Sequence, residues 1–198
     1  MKNIFLTQGI YKDKNNSFYL KTDINWINYS IKLKFRIIQI NQTSSLNSNK
    51  VDGIIFSGGN DLYFISKKKE NLIRDKFEKK IIKFAIKNKI PCLFVCRGMQ
   101  LLAKTNKLKL KKDKSKFHIK NNHKITFGKN ILNVNSFHNY VVRGQNKNIE
   151  ILGKCVKDQT IEIIKHKKLN FLAMMFHPER KSPDQHKVDK IVKKFFKL

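Results

Sequence analysis

The sequence predicts an α/β fold in which a doubly wound, mainly parallel sheet has an antiparallel extension. In the first half of the chain, short apolar runs alternate with segments of helical spacing, the pattern of parallel strands joined by crossover helices. After His123 the pattern changes, because strand-like runs follow one another without helical segments between them. The 198 residues suffice for one sizeable core, so we expect one domain over residues 1–198.

Apolar runs and helical spacing locate the elements of the first half. The best supported helix is Asn71–Asn88, because its apolar residues recur three and four positions apart. The Ser/Asn-rich stretch from Asn41 to Lys50 is typical of a loop. The other predicted elements are strands at Asn3–Thr7, Phe35–Ile40 and Val51–Ser57 and a helix at Asp23–Lys32.

The second half of the chain is richer in strands. Lys104–Lys120 is polar and Lys-rich, which is typical of a surface or mobile segment, and whether it forms a lid stays open. Apolar residues at helical spacing from Val188 to Phe196 predict a C-terminal helix packed on the sheet. The predicted strands are Ile131–Val134, Ile149–Leu152, Ile161–Ile164 and Phe171–Phe176.

The net charge of +29 has two interpretations. Lysine supplies most of it, since arginine occurs at only five positions, and this fits a solvated surface of biased composition. The functional interpretation is attraction of an anionic ligand such as a nucleotide or a phosphorylated metabolite. A dedicated nucleic-acid binder would show clustered arginines or interleaved aromatic residues, so a nucleic-acid partner is not expected.

Cysteine usage and hydropathy indicate a reduced cytoplasmic protein. The three cysteines, at positions 92, 96 and 155, lack the spacing of a disulfide framework. The apolar run Ile4–Leu6 is too short for a signal sequence, and no run approaches the roughly 20 residues of a membrane span, so no membrane partner is expected. His118 and His123 are five residues apart and no cysteine pair has zinc spacing, so no metal site is predicted.

Cys96 is the strongest candidate nucleophile. The apolar run Pro91–Val95 ends at this thiol, and Arg97-Gly98 opens a segment of helical pattern. A buried strand that turns sharply into a helix holds its corner residue at the sheet edge, where the helix N-terminus favours a thiolate. The pattern therefore predicts a nucleophile elbow with cysteine in place of serine.

Two glycines end the strand predicted at Val51–Ser57. Their backbone freedom lets Gly58 and Gly59 bring N–H groups close to a ligand. Ligands bind at the carboxyl ends of parallel strands, the same edge as Cys96. The N–H groups of Gly59 and Arg97 can then form an oxyanion hole.

His177-Pro178-Glu179 follows the last predicted strand. Pro178 holds His177 extended, so the side chains of His177 and Glu179 point to the same side. With Cys96 they make a nucleophile, a general acid/base and the carboxylate that orients it. A further polar cluster, Asn135–Asn139, follows another strand and can present polar groups to a substrate.

The chain resembles the γ-glutamyl hydrolases of the class I glutamine amidotransferase-like group, whose motifs it contains in the same order. Those motifs are Ser57–Asp61, Cys96–Gln100, Asn135–His138 and His177–Glu179. The resemblance implies a flavodoxin-like sheet, a triad of Cys96, His177 and Glu179, and hydrolysis of a γ-glutamyl amide through a thioester without a cofactor. It also implies substrate contacts from Gly58, Asn60, Gln100, Ser136, Phe137 and His138.

Within this family the resemblance is strongest to hydrolases of γ-glutamyl-CDP-amidate, which act in capsular phosphoramidate biosynthesis. It rests on Thr7-Gln8, on Asp23 to Trp26 and on Met175 to Arg180. Gln8 and Arg180 are then further substrate contacts, and Arg97 and Arg180 are candidate phosphate contacts.

Besides a mild change at Phe176, where the family's aromatic residue is often tryptophan, two positions depart from the family pattern. Phe94 stands where glycine is usual, two residues before the nucleophile, and Gly9 stands where an arginine is expected. The first change bears on the shape of the elbow, and the second on the binding of an anion near the first strand.

Three alternatives stay open. The first is a hydrolase of γ-glutamyl-GABA or another γ-glutamyl amine, and the second is a glutaminase subunit that passes ammonia to a synthetase. The third is a non-catalytic basic protein on the same fold. The leaving amine and the oligomeric state, a homodimer included, also stay open.

Overall fold

A computed structural model describes all 198 residues, and its main feature is a nine-stranded sheet. The strands are β1 (Asn3–Thr7), β2 (Gly9–Lys12), β3 (Phe18–Lys21), β4 (Arg36–Ile40), β5 (Gly53–Phe56), β6 (Cys92–Val95), β7 (Lys109–Lys112), β8 (Ile119–Phe127), β9 (Asn130–Phe137), β10 (Tyr140–Arg143), β11 (Ile149–Lys154), β12 (Ile161–His166) and β13 (Phe171–Met174). The helices are α1 (Ile24–Leu33), α2 (Tyr63–Ser66), α3 (Lys69–Lys87), α4 (Arg97–Thr105) and α5 (Gln185–Phe196), with a 3₁₀ turn at Ser48–Lys50.

Five parallel strands form the centre of the main sheet, in the order β4, β1, β5, β6, β13. This is the strand order of flavodoxin-like folds, in which ligands bind at the carboxyl ends of the strands. Strands β12, β10 and β7 continue the sheet in antiparallel fashion, and β11 pairs with β12. The predicted mainly parallel sheet with an antiparallel extension is thus confirmed.

Helices cover both faces of the sheet. On one face α3 and α4 bury Phe77, Ile81 and Met99 against the strands. On the other face α1 and α5 bury Trp26 and Val192. Each such side chain stabilises the fold by roughly 1.5–3 kcal/mol when fully buried. The strands are therefore held firmly, and their carboxyl ends form a rigid edge on which side chains can be positioned.

The structure differs from the sequence prediction at three places. A hairpin, β2–β3, follows β1 where no element was predicted. The Lys-rich segment Lys104–Lys120 contains β7, which pairs with β10 at the edge of the main sheet. Strands β8 and β9 form a separate two-stranded sheet instead of extending the main one. Strand β7 has the sequence KLKK and lacks the apolar run by which buried strands were recognised, whereas the short hairpin β2–β3 is aromatic-rich but largely exposed.

Candidate active site

Cys96 lies at the corner between β6 and α4. Its φ of 51° and ψ of −102° are strained for a residue with a side chain. The corner is fixed because the Cys96 N–H donates to the Met174 carbonyl at 2.7 Å and the Cys96 carbonyl accepts from the Gln100 N–H at 3.0 Å. The N–H of Arg97, the first residue of α4, has no partner within the helix and lies next to the thiol.

Gly98 allows this corner to pack against the neighbouring strand. A Cβ at this position would lie 2.5 Å from the carbonyl oxygen of Phe56, too close for any other residue. Phe94 does not disturb the elbow, because its ring points into the core and stacks on Phe56 with 4.3 Å between the ring centroids. The departure from the family pattern at Phe94 therefore leaves the strained geometry of Cys96 in place.

His177 and Glu179 follow β13 at the same edge. His177 Nδ1 and Glu179 Oε1 are 2.6 Å apart, and both residues are buried. A Cβ on Gly58 would lie 2.6 Å from His177 Cε1 and 3.5 Å from Cys96 Cβ, so Gly58 lies against both residues. Only glycine leaves room at this point for the imidazole and the thiol to face each other.

The pKa of His177 is set by its neighbours. Burial alone would lower this pKa, but the negative charges of Glu179 and Cys96 outweigh burial and raise it to about 10. His177 is therefore an imidazolium at neutral pH. It can give a proton to a departing amine and then take one from water.

Asn135 of β9 fixes the backbone of His177. Its Oδ1 accepts from the His177 N–H at 2.9 Å, and its Nδ2 donates to the His177 carbonyl at 2.8 Å. The sequence had placed Asn135 only within a polar cluster. Its role depends on a contact between residues 42 positions apart, for which the local sequence holds no signal.

A buried ionic network connects the Gly58-Gly59 turn to the corner at Cys96. Glu78 of α3 forms ion pairs with Arg74, at 2.9 Å, and with Arg97, and it also accepts from the Thr7 hydroxyl at 2.9 Å. Arg74 in turn donates to the Ser57 carbonyl at 2.8 Å, at the start of the Gly58-Gly59 turn. Burial alone would raise the pKa of Glu78, but its two arginine partners lower it below the usual value.

The same network determines what Arg97 can do. Its guanidinium is 1% exposed and is paired with Asp75 and Glu78. It is therefore not available to a phosphate, contrary to the expectation from the sequence. The backbone N–H of Arg97 remains beside Cys96, as the predicted oxyanion hole requires.

The cleft beside His177 has a volume of about 230 Å³. The predicted site residues that line it are Gly58, Gly59, His177, Glu179 and Arg180. Gly59 is exposed and has a φ of +123°, a conformation that favours glycine. Gly9, Asp23, Trp26 and Ser57, which belong to or adjoin the segments that carry the family resemblance, also line the cleft, and so do Tyr11, Lys21 and Thr22, for which the sequence predicted no role.

The hairpin β2–β3 supplies one wall of this cleft through Tyr11 and Lys21. Its turn, Asp13 to Ser17, is closed by hydrogen bonds from the Asn15 and Ser17 N–H groups to Asp13 Oδ1. Such an Asp/Asn turn between aromatic-rich runs is a signal that could have identified the hairpin from the sequence.

Arg180 and Phe137 flank His177. Arg180 lines the cleft and donates to Asp23 Oδ2 at 2.8 Å, while Asp23 caps α1 through the Asn25 N–H. The Arg180 guanidinium lies 4.7 Å from the centroid of the Phe137 ring, which stands nearly perpendicular to the His177 ring. Arg180 is one-third exposed and can still contact an anionic ligand.

The other residues predicted as substrate contacts lie outside the cleft wall. Gln8 bonds to Gln39 and Thr22, and Asn60 bonds to the Ile10 carbonyl and to Asn71. Gln100 lies one turn into α4 and is buried.

Two more of them belong to the hairpin β8–β9. The Ser136 hydroxyl donates to the His118 carbonyl at 2.8 Å. The imidazole of His138 is 3% exposed, and its Nε2 lies 3.7 Å from Glu162 Oε1 on β12. The family resemblance implies that both contact the substrate, and neither lines the cleft.

No helix of the structure combines the length and the apolar character that crossing a bilayer requires.

Comparisons with known proteins agree with this architecture. The family model of class-I glutamine amidotransferases matches residues 18–198. Over 133 residues the chain is 36% identical to γ-glutamyl-CDP-amidate hydrolase of Campylobacter jejuni, a match that covers 67% of this chain and 64% of that protein. The chain thus spans just under two thirds of that relative. Over 190 residues it is 27% identical to a glutamine amidotransferase-like protein of Lactococcus lactis, with 80% of each chain covered.

Two solved structures share the fold. A protein described as a GMP synthase subunit, from Thermoplasma acidophilum, superposes with a TM-score of 0.71 at 17% identity, covering 100% of this chain and 93% of that one. A glutamine amidotransferase from Thermotoga maritima gives a TM-score of 0.68 at 14% identity, covering 98% and 82%. The match of the family model over residues 18–198 shows that the chain belongs to the class-I glutamine amidotransferase family.

Proposed function

We propose that this protein hydrolyses a γ-glutamyl amide with Cys96 as nucleophile, and that its substrate is γ-glutamyl-CDP-amidate. The observation that supports the reaction best is the strained elbow of Cys96 beside an imidazole paired with Glu179 at 2.6 Å. The similarity to the hydrolase of Campylobacter jejuni, 36% over 133 residues, supports the substrate.

The reaction has two halves. In the first, the Cys96 thiolate attacks the γ-carbonyl carbon, and His177 gives its proton to the nitrogen as the C–N bond breaks. The amine leaves and the glutamyl group stays on Cys96 as a thioester. In the second half, His177 takes a proton from water as the water attacks the thioester, which releases glutamate and restores the thiolate.

The charge that develops on the carbonyl oxygen in both halves needs hydrogen-bond donors. The N–H groups of Gly59 and Arg97 can supply them, because the turn at Gly58 lies against Cys96 and Arg97 follows it directly. Rigid donors of this kind contribute more than flexible side chains, since they need not reorganise as the charge forms.

The cleft is suited to a leaving group that carries a negative charge. Lys21 and Arg180 line it, and the whole chain has a net charge of +29. The leaving group of γ-glutamyl-CDP-amidate is cytidine diphosphoramidate, which carries its charge on the phosphates. The reaction would then belong to capsular phosphoramidate biosynthesis in the cytoplasm.

Glutamate release from γ-glutamyl-CDP-amidate, γ-glutamyl-GABA and glutamine, measured side by side, tests the proposal. Cys96→Ala should release no glutamate, whereas Cys92→Ala, which removes a buried thiol at the start of the strand that leads to Cys96, should retain activity. Preference for the nucleotide amide would support the proposed substrate. Preference for γ-glutamyl-GABA or glutamine would replace it, and equal release by Cys96→Ala would refute the proposed nucleophile.

A further inference from the structure

Four titratable side chains meet in a buried cluster outside the cleft, which we call the His/Glu cluster: His118, His123, His138 and Glu162. None is more than 4% exposed. His118 precedes β8, His123 lies within it, His138 follows β9, and Glu162 lies on β12. Glu162 Oε1 is the common point, 3.7 Å from His118 Nδ1, 3.4 Å from His123 Nε2 and 3.7 Å from His138 Nε2.

These facing atoms are not hydrogen-bonded. His118 Nδ1, both nitrogens of His123, His138 Nε2 and both oxygens of Glu162 are buried without a hydrogen-bond partner. Leaving a buried polar atom without a partner destabilises the fold, and here six such atoms lie together. A cluster of this kind in a buried position requires an explanation.

The ring nitrogens of His138 and His118 that do not face Glu162 have acceptor partners, and these partners show which nitrogen of each ring carries the proton. His138 Nδ1 lies 3.0 Å from the Tyr140 carbonyl, which only accepts, so Nδ1 carries the proton. His118 Nε2 lies 3.1 Å from Asp158 Oδ2 and is protonated for the same reason. In neutral rings the nitrogens that face Glu162 then direct lone pairs at its carboxylate.

We propose that the His/Glu cluster binds a divalent transition metal, with zinc the best match. Imidazole nitrogens and a carboxylate oxygen are ligands that zinc takes, and a cation between lone pairs turns their repulsion into attraction. Ligand atoms around a tetrahedral zinc are roughly 3.4 Å apart, given bond lengths near 2.0–2.1 Å. The ligand atoms of His118, His138 and Glu162 all lie within 4.8 Å of one another, and His123 approaches the same carboxylate oxygen.

The surroundings of the cluster fit a metal site. Ligand histidines usually donate their other N–H to a carboxylate or a carbonyl, the roles that Asp158 and the Tyr140 carbonyl have here. The spacing of His118 and His123 gave no such indication in the sequence, because His138 and Glu162 come from distant strands.

Burial indicates that the metal is structural. A catalytic zinc keeps one position open to water, whereas none of these four residues lines the cleft. The metal would fasten the hairpin β8–β9 to β12 of the main sheet. The same hairpin contributes Asn135, which holds the backbone of His177. We therefore infer that the metal keeps the hairpin, and with it His177, in position.

Metal content of the untagged protein tests the site. The wild-type chain, stripped with a chelator and dialysed against zinc, should retain about one zinc per chain by mass spectrometry. With cobalt it should give the visible absorption of a tetrahedral site. Glu162→Gln and His123→Gln should each weaken binding by about tenfold or more, whereas His186→Ala, which removes an exposed histidine, should bind as the wild type does.

The wild type alone can overturn the proposal, even if a variant fails to fold. Less than about 0.1 metal per folded chain after dialysis against zinc, cobalt, nickel and manganese in turn would refute the site. Equal binding by the wild type and both cluster variants would also refute it. None of these measurements depends on the proposed enzymatic activity, so the two proposals can fail separately.

Discussion

At the residue scale, the protonation of His177 follows from two negative neighbours. An isolated buried histidine would be neutral, but Glu179 and Cys96 keep this one charged. In the proposed reaction, the proton that the leaving amine needs is then in place before the substrate arrives. The rate of glutamate release should therefore depend on pH, with an alkaline fall near the raised pKa of His177.

The kcat/KM of the wild type should fall as pH rises through about 10. Below this value His177 holds its proton, and above it the leaving amine receives none. The check is a profile of kcat/KM for glutamate release from about pH 6 to about pH 11, because kcat/KM reports the pKa values of the free enzyme. An alkaline fall centred near 6.5, the ordinary value for histidine, would contradict the assignment.

Glu179→Gln should move that fall to lower pH. The substitution keeps the size of the side chain but removes the charge that raises the pKa of His177. Losing the orienting carboxylate should also lower kcat by about 10²–10⁴-fold. Glu150→Gln, on the exposed side of β11, is the matched control and should leave the profile unchanged. An unchanged profile in Glu179→Gln would show that the carboxylate does not set the protonation of His177.

Gly98→Ala should destabilise the protein and displace the elbow. The added methyl group would meet the Phe56 carbonyl at 2.5 Å, so α4 must move away from β5. Overpacking of this kind costs about 1–3 kcal/mol. Thermal unfolding and glutamate release should both decline. Gly128→Asn, at an open turn with φ +59° that asparagine tolerates, is the control. Equal stability of Gly98→Ala and the wild type would contradict the close approach.

At the element scale, α3 links the two turns of the site. Glu78 pairs with Arg97 at the start of α4 and with Arg74, which bonds to the strand end at Ser57. The network is buried, so each of its charges depends on the others for solvation. The turn that supplies Gly59 and the turn that supplies Cys96 are thus fixed relative to each other.

Glu78→Gln should destabilise the fold by about 3–5 kcal/mol, because it leaves two buried guanidinium groups short of a counter-charge. Chemical denaturation of the variant and of Glu70→Gln, near the exposed start of the same helix, measures the difference. A loss of less than about 1 kcal/mol in Glu78→Gln would mean that water enters the network and solvates the arginines.

Elements with buried apolar faces were predictable, and contacts between distant elements were not. The helix expected at Asn71–Asn88 is α3, within two residues at each end, since its pattern repeats over five turns. The strand ends bearing Cys96 and His177 were found because buried strands are short apolar runs. The role of the Arg97 side chain could not be predicted from the sequence, because the partners of a buried charge depend on the tertiary fold.

At the scale of the whole molecule, lysines spread along the entire chain carry most of the positive charge. Two interpretations stood open, a biased composition and attraction of an anionic ligand. The cleft adds a local observation, because Lys21 and Arg180 line it. Salt and substitution can separate the attraction of an anionic ligand by charges in the cleft from its attraction by the charge of the whole chain. Exposed charges farther apart than a Debye length are largely screened, so salt weakens the attraction by distant lysines.

The KM for γ-glutamyl-CDP-amidate should rise by about threefold or more between low and high salt, while the KM for glutamine, which has no charged leaving group, changes little. Lys21→Ala should raise the KM at low salt and flatten this dependence, because Lys21 lies in the cleft wall. Lys197→Ala, beyond the end of α5, removes the same charge far from the cleft and should retain the wild-type dependence. Initial rates at several salt concentrations give all three curves. Equal slopes for the two variants would mean that the lysines act only as a general field, and the nucleotide would then need a different recognition element.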